Sequence, residues 1–237
     1  YALAKDKLSQ TWSLALTLLV ATMPLLFYHS YSFYADLPLA FYIAVLCLVW
    51  RRWLTDRSSA ALLLVAGLAG SALLLKSEAI FFVAPLVCLS LLKLWQDKSP
   101  FKSFWPLGLT LAVYGPWLLW LTAHRLGISN VASGLGWHPQ VTPYIFSALF
   151  SAASWHLWWY LVALMLLLTW TAVTKRLIFK YCLAFLVLSF SCFLALYYFT
   201  QTYQYVVDNT ALSRNIIILI PLSAAVLIDC LASWFND

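Results

Sequence analysis

Eight apolar runs, each near the length of a membrane-spanning helix, leave this chain little choice of fold. They cover 11–28, 37–53, 59–76, 79–95, 104–123, 155–174, 180–200 and 214–234. A bilayer core takes about 20 residues of helix, because every backbone N–H and C=O must find its partner inside the segment where water is absent. Of the 237 residues, 64% are hydrophobic and 9% charged. A soluble domain carries roughly a quarter charged residues, so the apolar content exceeds what one soluble core can bury. The expected fold is all-α, a polytopic transmembrane bundle of about eight helices. Pro24, Pro85, Pro116 and Pro221 lie inside the runs and are expected to kink the helices rather than break them.

The net charge of +6 does not point to nucleic acid, because the basic residues sit in short clusters between apolar runs. With eight crossings, 11 of the 14 lysines and arginines fall on one side; only Lys76, Arg125 and Arg214 fall on the other. Lysine and arginine accumulate in cytoplasmic loops, so both termini are expected in the cytoplasm. Trp12, Trp53, Trp95 and Trp234 on the inner side, with Trp117, Trp155 and Trp158 on the outer, fit interfacial belts. Cys47, Cys88, Cys182, Cys192 and Cys230 are odd in number and fall inside apolar runs. They read as small buried hydrophobes rather than a disulfide framework or a metal site. Nothing resembles a signal peptide with its cleavage site.

The non-cytoplasmic side holds the unusual residues: Asp36, Glu78 and Asp208, and the histidines His29, His124, His138 and His156. The one long connection, 124–154, lies there too. Its apolar stretch "YIFSALF" is too brief to span and is expected to lie along the membrane surface.

Asp36 precedes Leu37 and Pro38 where a helix should start, the pattern of an N-cap with proline in the first turn. Lys76 and Glu78 flank Ser77 in the tightest turn of the chain. Helix dipoles favour both placements, yet charges at the lipid boundary are costly and suggest function. Arg214 opens the last run, where a cation opposes the helix dipole. It therefore calls for an anion: Asp208, a lipid phosphate or a substrate. A guanidinium suits bidentate phosphate recognition, and snorkelling to headgroups is the plainer alternative. The histidines share no metal-ligand spacing; His138, in "GLGWHPQ", is the one placed to act. Asp229, near the cytoplasmic end of the last run, reads as structural. The chain has no phosphate-binding loop, no dinucleotide fingerprint and no G-x-S-x-G elbow. No cofactor is marked in the sequence, a divalent metal is left open, and substrate energy has to arrive on a carrier.

Taken in order, "FYADLPLAFY", "LLKSEAIFFVAPL", "YGPWLLW", the long outer loop and "LSRNIIILIPL" resemble the protein O-mannosyltransferase and lipid A aminoarabinose-transferase group. These are polytopic glycosyltransferases of the GT-C class. The resemblance covers nearly the whole chain and implies one domain, 1–237. It also implies that the family's first helix, its large outer loop with an acidic catalytic motif, and its second helix are not in this sequence. Tyr1 to Gln10 match the loop that follows them. The implied activity is transfer of a sugar from a polyprenyl-phosphate carrier, the donor substrate, to a lipid, glycan or protein acceptor on the non-cytoplasmic face.

By resemblance, Asp36 matches the family's second acidic position and is the expected catalytic residue, orienting or assisting the acceptor. Lys76 and Arg214 match basic positions near the carrier phosphate. Fixed cations there would stabilise the charge left on the departing phosphate. Glu78, His138 and Asp208 are expected to line the substrate cavity. The implied partners are membrane lipids, the lipid-linked donor, an acceptor and other membrane subunits. The short loops point to a bacterial inner membrane with a periplasmic active face. Two alternatives share the composition. A transporter would place ionisable groups near the midplane on broken helices in paired repeats. A catalytically silent subunit would keep the scaffold alone.

Overall fold

The structure, a computed structural model, describes residues 1–30, 34–124, 135–151, 155, 157–208 and 212–236. Among them the protein is helical throughout. The chain begins with α1 (Ala2–Lys5), α2 (Gln10–Ala21) and α3 (Pro24–Ser30). The long helices α4 (Asp36–Asp56), α5 (Ser59–Leu75), α6 (Ile80–Gln96) and α7 (Gly108–Ala123) follow. After the short α8 (Thr142–Phe146) come α9 (Trp158–Val173), α10 (Leu177–Phe199), the short α11 (Gln204–Val207) and α12 (Leu212–Asn236). Among the described residues, five helical stretches are long and apolar enough to cross a membrane, or six if α2 and α3 form one span. The other two runs of the expected eight are shorter apolar helices, α5 with 17 residues and α9 with 16.

Three of the four prolines leave their helices unbroken, lying inside α6, α7 and α12. Pro24 does not: it breaks its run, and α2 meets α3 at 69°. Proline lacks the N–H that would continue the ladder, so it serves best as a first helical residue, which is the place it takes in α3. Thr22 closes the preceding helix, its N–H and its hydroxyl both bonding to the Leu18 carbonyl.

The molecule is organised around α12. This helix carries Arg214, Asn215, Ser223 and Asp229, polar groups that need partners inside the protein rather than lipid, and 89% of its apolar window is buried against 17% for the stretch Phe101–Ala123 that ends in α7. Around it pack α4, α9 and α10, with α6 on α10 and α5 joining α4 to α7. Polar side chains tie these helices where lipid offers no competing partner. Trp50 Nε1 donates to Ser90 Oγ at 2.9 Å, Trp158 Nε1 to Ser223 Oγ at 2.9 Å, and Thr110 Oγ1 to the Ala66 carbonyl at 3.1 Å. The expected tryptophan belts are therefore only partly present. Trp12, Trp95, Trp117 and Trp234 are exposed, but Trp53, Trp155 and Trp158 are buried in the bundle. Cys47, Cys182 and Cys230 are buried, whereas Cys88 is exposed and Cys192 half-exposed.

Two ion clusters fix the register of α4 on α12. At one end Arg214 of α12 meets Asp36 of α4; at the other Arg51 of α4 meets Asp229 of α12. The spacing along the chain is the same on both helices, so they run parallel and in register over about 22 Å at 1.5 Å per residue. Arg51 holds Asp229 bidentately, at 2.9 and 2.8 Å, and Lys7 joins them. Asp229 is thus the structural residue that its position suggested.

Candidate functional site

The first helical residue of α4 is Asp36, with Ala35 as the N-cap. The expected capping bond is not made. The carboxylate is instead fully buried and turned toward two cations from other helices. Lys76 Nζ lies 2.6 Å from Oδ1, and Arg214 Nε lies 2.8 Å from Oδ2. A buried carboxylate is worth far more to a pair of cations than to its own first-turn amides, and that competition decides the geometry. Asp36 is also the anion that the opening turn of α12 requires beside Arg214.

Each cation is delivered by a helix end. Lys76 ends α5 in extended backbone, φ −159° and ψ 137°. The 3-10 turn Ser77–Ala79 then feeds directly into α6. This tight reversal puts Lys76 and Glu78 side by side, with Lys76 Nζ 3.3 Å from Glu78 Oε1 and Ser77 Oγ donating to Glu78 Oε2 at 3.0 Å. Glu78 stays one-third exposed, as does Arg214, while Lys76 is mostly covered. Arg214 uses Nε for Asp36, and among the described residues no hydrogen bond takes its Nη groups. Its guanidinium lies 4.3 Å from the centre of the Tyr34 ring. Next along α12, Asn215 Nδ2 donates to Tyr197 Oη at 2.6 Å, anchoring the opening turn to the end of α10.

Four of the six sequence-predicted residues therefore meet: Asp36, Lys76, Glu78 and Arg214. His138 belongs to a strand-like clasp between the loop and the end of α10 and makes no hydrogen bond, ion pair or ring contact with these four. Gly136 N–H donates to the Phe199 carbonyl at 3.1 Å, and His138 N–H to the Tyr198 carbonyl at 2.8 Å. Trp137 stacks on Tyr198, and the His138 ring lies 4.0 Å from the Tyr203 ring. Asp208 ends α11, exposed and just ahead of α12. In the long loop, "YIFSALF" is helical, α8 continuing into the π turn Ser147–Ser151, with Ile145 and Ala148 buried. Arg125, His156 and loop residues 125–134 and 152–154 lie outside the described residues.

Two members of the site carried little signal in the sequence. His29 is buried, close enough to Asp36, Lys76 and Arg214 to feel their charges, and its Nδ1 has no hydrogen-bond partner among the described residues. Its ring stands 5.5 Å from that of Tyr34, so Tyr34 lies between His29 and Arg214. A lone histidine resembles any polar tip; only the "YAD" spacing hinted that Tyr34 accompanies Asp36. Among the described residues no cluster of three His, Cys, Asp or Glu is placed to hold a metal.

An apolar groove of about 410 Å³ begins beside the cluster. Leu37 and Ala40 of α4 and Ile217 and Ile220 of α12 form its near end, and it continues along both helices to Ala44 and Ile228.

The helical membrane bundle and its charged cluster do not name a class by themselves; a family match does, and it supports a membrane glycosyltransferase of the GT-C type. Residues 1–120 match the family of dolichyl-phosphate-mannose-protein mannosyltransferases, and the chain belongs to that family. The match includes Asp36, Lys76 and Glu78. Neither the curated proteins nor the solved structures contain a chain that matches this one.

Proposed function

We propose that the protein transfers a sugar from a polyprenyl-phosphate carrier to a glycan, lipid or protein acceptor, and that Lys76 and Arg214 hold the carrier phosphate. The observation that carries this reading is Asp36 clamped between them. In glycosyl transfer the bond from the anomeric carbon to the phosphate oxygen breaks and the electron pair leaves with the carrier phosphate. The acceptor heteroatom forms the new bond and gives up its proton. Charge therefore grows on the phosphate, and cations fixed beforehand stabilise it without reorganising.

Asp36, sealed in and bonded on both oxygens, acts through its neighbours. It points the Arg214 Nε inward, which turns the Nη fork toward an incoming phosphate, the bidentate geometry a guanidinium favours. Glu78 is the carboxylate of the cluster open to a substrate and faces the acceptor. The isoprenoid tail lies in the apolar groove between α4 and α12. The active face is the Asp36 end, in a bacterial inner membrane the periplasmic one, and the loop held by the Trp137–Tyr198 stack closes the acceptor side.

The test is transfer from a polyprenyl-phosphate sugar by the purified protein in proteoliposomes, wild type against Arg214→Lys. Lysine can still reach Asp36 but brings no fork. We expect turnover to fall at least about tenfold, the worth of one charged hydrogen bond, with the melting temperature nearly unchanged. If the cluster were a structural clip alone, Arg214→Lys would leave both activity and stability intact; a silent subunit would show no transfer in the wild type either.

A further inference from the structure

At the opposite end of α4 from the Asp36 cluster, a cavity of about 540 Å³ opens between the last turn of α4, the start of α5 and the segment joining α6 to α7. We propose that this cavity binds a phosphate-bearing anion, at a site separate from the one that handles the sugar donor.

The charges facing the cavity do not balance. Arg57, Lys102 and Asp97 line it. Asp97 is answered twice, by Arg57 Nε at 3.3 Å and by Lys93 from within α6. Lys102 has no carboxylate within ion-pair range among the described residues, which leaves a cation without its counter-ion. Arg57 also has donors to spare, since its Nη1 is shielded from solvent and makes no hydrogen bond. Its guanidinium is steadied over Trp53, 5.1 Å from the ring centre.

The backbone adds to the same field. Ser59, the first residue of the 17-residue α5, lines the cavity, and Ser58 makes no capping bond to that helix. The opening amides of α5 thus present unanswered N–H groups and the positive end of the helix dipole, an arrangement that attracts phosphate. Ser99 and Ser103 supply hydroxyl donors from the facing segment.

Two helix ends, those of α4 and α6, close beside the cavity. Among the described residues, the non-glycine positions with positive φ are Arg57 at 55° and Lys98 at 51°. Arg57 ends α4 in the left-handed conformation, where glycine is the usual occupant because a Cβ is disfavoured. Lys98 stands between two residues that line the cavity. Both are left-handed closures of helix ends: Arg57 N–H reaches the Trp53 carbonyl, and Lys98 and Ser99 N–H reach the Trp95 and Leu94 carbonyls, which fixes the backbone of the cavity wall.

A phosphate could arrive on a lipid headgroup, because the cavity lies at the ends of membrane-length helices, or as a soluble anion. The experiment separates the two. Delipidated full-length protein in maltoside detergent is titrated with phosphatidylglycerol, read by native mass spectrometry, and separately with radiolabelled inorganic phosphate, read by equilibrium dialysis. Lys102→Gln is the key variant, because Lys102 is exposed and makes no ion pair whose loss would unsettle the fold. Arg57→Gln combined with it probes the full site, and Lys175→Gln, on the α9–α10 connection, is the control. We expect Lys102→Gln to weaken binding about tenfold and the double variant further, with Lys175→Gln like wild type. Loss confined to phosphatidylglycerol identifies a lipid site; loss with inorganic phosphate identifies a site for soluble anions. If Lys102→Gln binds both probes as Lys175→Gln does, or wild type binds neither, the proposal is wrong.

Discussion

Asp36 stands where a capping residue would stand, one residue into its helix and just before Pro38, yet its carboxylate faces away from its own backbone. Both oxygens are taken, by Lys76 and by Arg214. Removing one member of a buried ion pair leaves the others uncompensated and costs about 3–5 kcal/mol. Arg214 is one-third open to solvent, so we expect about 3 kcal/mol for Asp36→Asn, the lower end of that range. A clear fall in melting temperature in detergent checks it; an unchanged one would mean the cluster does not hold α4, α5 and α12 together. Adding Lys76→Met should recover part of that loss, since replacing a buried pair by apolar groups is often near neutral, while transfer activity stays lost. The residues of this site were legible because ionisable groups at the ends of apolar runs are rare. Their pairing was not, because the partners lie on three helices far apart in sequence. His29 and Tyr34 lie close to Asp36 in sequence but were missed because an aromatic ring or a histidine at the end of an apolar run looks like any interfacial polar tip.

Among the elements, α5 and α7 show how closely helices approach when a side chain is missing. A Cβ on Gly70 would come within 2.7 Å of Val113 Cβ and 3.0 Å of the Thr110 carbonyl oxygen. Small residues at such crossings let backbones meet in a membrane, where packing rather than solvent drives association. Gly70→Val should therefore lower stability by about 1–3 kcal/mol, the usual cost of overpacking. Gly108→Ala, at the first residue of α7 with open space around its Cβ position, should be neutral or slightly stabilising. Thermal unfolding of the two variants compares them directly, and equal effects would contradict the close approach. The apolar runs announced nearly every helix, because length and hydropathy alone decide a span. They did not announce the break at Pro24, where the first-turn preference of proline outweighs continuity, nor the burial of Trp53, Trp155 and Trp158. A tryptophan near a run's end looks the same whether it meets headgroups or another helix.

For the whole molecule, the parallel pair α4 and α12 is clipped at each end by an ion cluster with the signs exchanged, aspartate and arginine changing places between the helices. This arrangement keeps Asp36 and the cavity at Arg57 at opposite ends. Glu78→Cys and Lys102→Cys should accordingly react with a membrane-impermeant maleimide from opposite sides of a sealed vesicle; labelling of both from one side would contradict the topology. The alternation of basic loops leads to the same expectation of sidedness, while the convergence of α4, α5 and α12 on one carboxylate needed the fold. The central claim is that this convergence builds a seat for a carrier phosphate. The most direct measurement is the affinity of the purified protein for a polyprenyl phosphate, the leaving group itself, in wild type and in Arg214→Lys of matched melting temperature. Affinity should be weakened about tenfold in the variant, the loss of one charged hydrogen bond. Equal affinity in two equally stable proteins would contradict the central claim.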